Sequence, residues 1–260
     1  VEALRADYPQ VQRIENDGNV GFARANNQGI AAAQGEVLAL VNSDIELRPG
    51  AIDALLDVLA REPAAGLLGP RVLNRDGSLQ PSCTREPTYL SVFAENVFLH
   101  RLLPGLGAVA PLKMNDWAHD EERPVDGVTG CFWFARRAAV DAVGPLDERF
   151  FFYAEDTDWC KRFRAAGWQV RFCPSAEVYH YGGGSSQAAP TRYYIERRRA
   201  NLKYWRKHHG RRGVLWYAGC TFLGQLLRAI GWAALWLTQP RRRAEHRALL
   251  ARSLATLRFV

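Results

Sequence analysis

A chain of 260 residues that is 48% hydrophobic can bury a sizeable core, as one large domain or two small ones. Its five cysteines (Cys83, Cys131, Cys160, Cys173, Cys220) are odd in number and in no CxxC pair, which excludes a disulfide frame or cysteine zinc site and reads as reduced cytosolic thiols. The net charge of +7 is uneven, with most of the excess between Arg192 and Arg258, so an anionic partner is expected there: a membrane surface before a nucleic acid.

The sequence opens without a methionine, in what reads as the middle of a helix (Val1–Tyr8), and is expected to lack the start of a longer protein. Val11–Ile14 is a predicted short strand, followed by a turn at Asn16–Asn19. Phe22–Gln34 carries small and apolar residues at helical spacing (Ala25, Gly29, Ala32, Ala33), and Gly35 ends it. Glu36–Val41 is a continuous apolar run of strand length, as in a central strand covered on both faces. A helix from Gly50 to Arg61 should bury Ile52, Leu55, Leu56 and Leu59, and Gly66–Gly69 is a short buried strand. Strand, helix, strand, helix, strand predicts an open, mostly parallel α/β sheet with helices on both faces.

Asn74–Gly77 is a hairpin turn signal. Tyr89–Leu103 reads as one helix or two short ones, Pro104–Asp120 as a loop, and Val125–Phe134 as a strand in which Gly127 and Gly130 allow close backbone approach. Arg136–Val143 and Asp156–Ala166 are helices closed by Gly144 and Gly167; Trp168–Phe172 alternates as a strand; Tyr179–Ser186 is a glycine-rich loop with one histidine.

Three places carry chemistry. Asn42-Ser-Asp44 directly follows a buried strand and so lies at the carboxyl edge of the sheet, where open α/β sheets bind ligands. An aspartate there can hold Mg²⁺ or Mn²⁺ shared with a diphosphate, or merely form an Asx turn. Arg149–Cys160 runs four aromatics, Phe150 to Tyr153, into Glu155, Asp156 and Asp158. An apolar run of that kind should be buried and should hold the carboxylates at a wall, where their pKa values shift and a general base can form. The same acids equally suit a helix start, with Asp156 or Thr157 as the cap. His180, between Tyr179 and Tyr181 and before glycines, is either a satisfied loop residue or a ligand whose neutral imidazole suits Mn²⁺.

The order of these pieces is more telling than any one. Val-Asn-Ser-Asp44, Gly130-Cys131, Phe151-Phe-Tyr-Ala-Glu-Asp-Thr-Asp158 and Tyr179-His-Tyr-Gly-Gly-Gly-Ser185 occur in that sequence, with Asn19–Gly29, Gly144–Glu148 and Lys161–Gly167 between them. From about Ile14 to Ser186 the chain resembles the family 2 glycosyltransferases of GT-A fold, in their rhamnosyltransferase-like branch. The resemblance implies an inverting transfer from a dTDP- or UDP-sugar, with Asp156 as base and Glu155 beside it in an outer or acceptor-binding role, while Asp158 orients its neighbours. It implies Asp44 as metal ligand with Asn42 where many relatives have aspartate, His180 as a metal or diphosphate contact, and Asn19, Arg24 and Asn27 along the donor site. Relatives begin with a Val-Asn-Tyr-like and an Asp-Asn-Ala-Ser-like motif that grip the nucleotide; neither occurs here, so this chain is expected to bind donor poorly.

The predicted boundary falls at residue 190, between the GT-A domain and a basic helical tail of residues 191–260. Tyr193–Lys207 is aromatic and arginine-rich, and Val214–Thr238 is long enough to cross a bilayer. Thr221, Gln225 and Arg228 form one polar stripe on it, with Trp216, Phe222, Leu223, Leu226, Ile230, Ala233 and Leu237 around the rest, and arginine clusters flank both ends. That pattern suits helices lying in the interface of an anionic leaflet better than a single span. By analogy the acceptor is a saccharide, free or polyprenyl-diphosphate-linked, at the inner face of the cytoplasmic membrane, in cell-envelope polysaccharide synthesis. A non-catalytic membrane-associated module, and a nucleic-acid binder using Tyr204, Trp205 and the arginines, are the competing readings; the apolar stretch beside the arginines favours lipid over nucleic acid.

Overall fold

The computed structural model describes residues 2–103, 106–182 and 190–258. In chain order the elements are α1 (Glu2–Asp7), α2 (Phe22–Ala32), β1 (Val37–Val41), β2 (Ile45–Leu47), α3 (Ala51–Arg61), β3 (Ala65–Leu73), β4 (Cys83–Thr84), α4 (Tyr89–Asn96), α5 (Leu99–Leu102), β5 (Arg123–Pro124), β6 (Gly127–Val128), β7 (Phe132–Arg136), α6 (Arg137–Val143), α7 (Glu155–Ala165), β8 (Gln169–His180), α8 (Pro190–Thr238) and α9 (Arg243–Leu257). The main sheet has the order β1-β7-β3-β8-β2, with β5 on β8; β4 and β6 form a separate pair.

The α/β architecture is as expected, but the pairing is mixed. β1, β3 and β8 run the same way, yet β7 lies antiparallel between β1 and β3, β2 and β5 are antiparallel to β8, and only β3–β8 is a parallel pair. β1 is therefore an edge strand. Leu38 and Leu40 are buried while Ala39 and Val41 are exposed, so it is covered on one face, not two.

Helices cover both faces of the sheet. On one, Ala23 of α2, Ala139 and Val140 of α6, and Trp159 and Phe163 of α7 pack on Leu67, Trp133, Val170 and Phe172. On the other, α3 packs Ala51, Leu55, Val58 and Leu59 against Leu68, Phe132, Phe134 and Val178. The expected α3 face was wrongly phased: Ile52 and Leu56 point to solvent, because the stripe that meets the sheet starts at Ala51. Burying a side chain such as Leu55 contributes about 1.5–3 kcal/mol.

Other expectations are corrected by packing. Val11–Ile14 is exposed and forms no strand. β3 runs well past Gly69, passing Pro70 through a register shift that accommodates the missing N–H. Val125–Phe134 divides into β6 and β7, which belong to different sheets. The close approaches are real: a Cβ on Gly127 would lie 2.6 Å from Thr84 Oγ1, and one on Gly130 would lie 3.2 Å from the Trp133 ring.

α8 is long and apolar enough, by length and composition, to cross a membrane, but it folds back at Gly210 (φ 63°, ψ −159°). Gln225 Nε2 reaches Tyr194 Oη at 2.8 Å and Asn201 Nδ2 reaches Tyr217 Oη at 3.0 Å. Residues 190–209 and 211–238 are thus antiparallel arms of a helical hairpin. The inner arm joins Phe150, Ala154 and Val92 in a third core cluster through Ala200, Tyr204 and Trp205. On the outer arm the polar stripe faces inward, with Thr221 and Gln225 fully buried, while Leu215, Trp216, Phe222, Leu226, Ile230 and Leu237 are exposed.

Candidate active site

Residues 42–44 leave β1 and cross the carboxyl edge of the sheet to β2. Asn42 N donates to Cys131 O (3.0 Å), Ile45 N donates to Asn42 O (3.2 Å), and Tyr181 N donates to Asp44 O (2.9 Å). His180 is not in a loop. It is the last residue of β8 and pairs with Ile45 across the ladder. Of the glycine-rich stretch after it, residues 183–186 lie outside the described residues.

The two side chains meet, with His180 Nε2 3.5 Å from Asp44 Oδ1. The histidine's orientation is set from behind. Gln80 Nε2 donates to Asn74 Oδ1 (3.1 Å), which turns Gln80 Oε1 toward His180 Nδ1 at 2.6 Å. An amide oxygen only accepts, so Nδ1 carries a proton and Nε2 is the ring nitrogen turned to Asp44. A ring nitrogen and a carboxylate oxygen at that distance can share a proton or hold a cation between them. Among the described residues no three His, Cys, Asp or Glu side chains gather as a metal site. Two protein ligands suit a Mg²⁺- or Mn²⁺-type ion that takes its remaining oxygens from phosphates and water.

The carboxylates lie at the start of α7. Tyr153 (φ 71°) and Ala154 (φ 66°) precede it in the left-handed region, at about 1–2 kcal/mol each for non-glycine residues. The N-cap is thus Ala154 with no side-chain cap, not Asp156 or Thr157. Of the aromatic run only Phe150 is fully buried, and Phe151 is exposed. Glu155 is buried and its Oε2 has no hydrogen-bond partner. Burial, reinforced by the adjacent Asp156 charge, pushes its pKa up to about 8. Burial also raises Asp156, but Thr157 opposes it, donating to Asp156 Oδ1 from its N–H (2.7 Å) and its hydroxyl (3.1 Å), with the positive charge of Lys113 nearby. Both carboxyls of the pair are raised, Glu155 to about 8, and the two Thr157 donors favour the carboxylate form on Asp156 over Glu155.

Asp158 is fully buried, and burial would raise its pKa. His208 (2.7 Å), Lys207 (2.6 Å) and Arg162 (2.9 Å) more than offset that and hold it low.

Both clusters attach to the segment Val128–Cys131. Asn42 binds it through Cys131 O, while Cys160 of α7 sits with its Sγ 3.8 Å from Val128 O. The start of α2 adjoins the same region, since Phe22 N donates to Phe151 O (2.9 Å). Asn19 and Arg24 are exposed there, and Asn19 Oδ1 accepts from Gly21 N (3.0 Å). Asn27's amide hydrogens go to Leu146 O (2.9 Å) and Glu148 Oε1 (3.0 Å), and its Oδ1 takes Leu146 N (2.9 Å), so it clamps α2 to the loop before α7. Gln80, Lys113, Lys207 and His208 were missed by sequence reasoning. Only Gln80 carried a signal, its place after the Asn74–Gly77 turn, and that signal was structural.

The glycosyl transferase family 2 model matches residues 1–144. An N-acetylglucosaminyl-diphospho-decaprenol L-rhamnosyltransferase of Mycobacterium tuberculosis is 32% identical over 222 residues, which cover 78% of this chain and 69% of that protein. The low-salt glycan biosynthesis hexosyltransferase Agl10 of Haloferax volcanii is 24% identical over 177 residues, 66% of this chain and 52% of its own length. Among solved structures, the mannosyltransferase PcManGT from Pyrobaculum calidifontis, in complex with GDP-Man and Mn²⁺, aligns with 98% of this chain and 72% of its own at 13% identity and a TM-score of 0.48.

Proposed function

This chain belongs to glycosyl transferase family 2, and on that premise we propose that it moves a sugar, a deoxyhexose such as rhamnose, from a dTDP- or UDP-linked donor to a sugar hydroxyl on a polyprenyl diphosphate. The observation that carries this reading is the attachment of two unlike polar clusters to one segment: the Asp44–His180 pair through Asn42 on Cys131, and the helix of the Glu155–Asp156 pair through Cys160 on Val128. Asp156, as the carboxylate to which Thr157 donates, takes the acceptor hydroxyl proton as that oxygen bonds to the anomeric carbon. The bond from that carbon to the diphosphate breaks, its electron pair leaves with the nucleoside diphosphate, and the configuration inverts. Protonated Glu155 can donate to an acceptor oxygen. Asp44 and His180 would hold a Mg²⁺ or Mn²⁺, which would neutralise charge on the leaving diphosphate.

The exposed apolar face of residues 211–238, flanked by arginines, fits a peripheral seat on the anionic cytoplasmic leaflet, where a polyprenyl-linked acceptor resides. The likeness to the mycobacterial rhamnosyltransferase supports that acceptor class and rhamnose as the donor sugar. The test is a screen of nucleotide-sugars with Mn²⁺ or Mg²⁺ on the full chain, reading nucleotide release with and without a prenyl-diphosphate-linked N-acetylglucosamine. Acceptor-dependent release that falls roughly 10²- to 10⁴-fold in Asp156→Asn, with the fold retained, is the expected result. Undiminished release in that variant sinks the assignment.

A further inference from the structure

The cavity beside Asp156 has no role in the chemistry above. It measures about 380 Å³ and lies between α4, the loop carrying Lys113, the first turn of α7 at Thr157, and both arms of the α8 hairpin. Its charged lining is one-sided. Arg85 is neutralised by Asp116 at 2.7 Å, and Glu95 is the one acid on the wall, leaving Lys113, Arg197 and Arg198. Among the described residues none of those three has a carboxylate within ion-pair distance. Arg198 bonds only phenols, Tyr217 Oη at 3.3 Å and Tyr194 Oη at 3.0 Å. Its Nε, like the hydroxyl of fully buried Tyr204 on the same wall, has no hydrogen-bond partner. Buried polar groups left this way are costly, and a bound ligand removes the cost.

We propose that this cavity binds the diphosphate of the lipid-linked acceptor, with Lys113 on one wall and Arg197 and Arg198 on the other. The inference rests on the acceptor class proposed above and adds the residues that recognise it. Guanidinium pairs match phosphate oxygens in a fork geometry, and a cavity with three cations that have no carboxylate within ion-pair distance among the described residues suits a group bearing several negative charges. The adjoining surface supplies the lipid half. Tyr217 lines the cavity, while its neighbours Leu215 and Trp216 are exposed and begin the apolar strip that continues through Phe222, Leu226 and Ile230. A diphosphate seated here leaves its prenyl chain on that strip. It also places the first sugar beside Asp156, which is hydrogen-bonded to the wall residue Thr157.

The test titrates the full chain with farnesyl diphosphate, inorganic pyrophosphate and UDP, and repeats each titration with Arg197→Ala and Lys113→Ala, both exposed positions whose change spares the fold. Farnesyl diphosphate should bind more tightly than pyrophosphate. Each variant should weaken it roughly 10- to 100-fold while leaving UDP affinity unchanged. In transfer assays Arg197→Ala should raise the acceptor KM and not the donor KM. Equal affinity for farnesyl diphosphate and pyrophosphate would make this a free-phosphate site and overturn the proposal, as would variants that bind farnesyl diphosphate like the parent. Farnesyl diphosphate binding that the variants weaken, in a chain that transfers no sugar, would uphold the cavity assignment and sink the transferase reading instead.

Discussion

His208 Nε2 lies 2.7 Å from Asp158 Oδ1, joining the C-terminal helices to the helix that carries the proposed base only two residues earlier. Lys207 doubles the link, reaching Asp158 at 2.6 Å and Asp147 at 2.8 Å. Asp158→Ala strands these cations against a buried site and should cost about 3–5 kcal/mol, measured by urea unfolding. The acid limb has a definite sign. Because the folded-state pKa of Asp158 is depressed, its contribution is present above the ordinary value of 3.8 and is lost as pH falls through the lowered one. The variant should therefore lose less stability than the parent on acidification.

Glu155 behaves in the opposite sense. Its pKa is raised from an ordinary 4.5 to about 8, so the folded state holds a proton that the unfolded state releases. The stability this confers is full below about 4.5 and is lost as pH rises through about 8. Glu155→Gln mimics the protonated form. Its Tm should hold steady across that window while the parent's declines, and parallel curves would show that Glu155 ionises normally.

Gln80 should matter through His180 alone. Gln80→Leu removes the acceptor at Nδ1 and frees the imidazole to change tautomer and orientation. If Asp44 and His180 hold the ion, the metal concentration for half-maximal activity should rise about 10- to 100-fold, while Tm moves little. An unchanged metal dependence would assign the histidine to packing.

Ile230 is 60% exposed on the outer arm, so Ile230→Glu should leave the fold intact. If that face enters a leaflet, the substitution removes a buried apolar side chain and adds repulsion from anionic headgroups. Partitioning to vesicles containing anionic lipid should fall about tenfold or more. Retained partitioning would move the membrane contact elsewhere.

Much of the fold could be read from local pattern. The helices at Phe22, Ala51, Arg137 and Glu155, the strand ending at Val41 and the start of the strand at Gln169 follow from apolar spacing and glycine stops, whereas the run of that last strand on to His180 does not. Strand order could not, because β7 enters between β1 and β3 from a distant stretch whose apolar run reads the same in either direction. Asp44, Asp156 and His180 were legible as candidates because two acids stood at element ends and a lone histidine preceded a glycine run. Their partners were not: Gln80 and Lys113 contribute through side chains whose placement depends on packing across the fold, and Lys207 sits in a run of cations where nothing marks it as different. Asn27 shows the converse, a polar residue in a suggestive motif whose hydrogen bonds are used to hold a loop.

Gly210 separates two surfaces with different demands. On the inner arm, Lys207 and His208 grip α7 only a few residues from the bend; on the outer arm, the apolar strip begins at Leu215. An outer arm sunk in a leaflet would therefore fix the height of Asp156 above the lipid phosphates. That height would act as a ruler: a sugar hydroxyl too near the bilayer, or carried too far out by added residues, would miss the carboxylate, and acceptor length would be selected without any contact to the extra sugars.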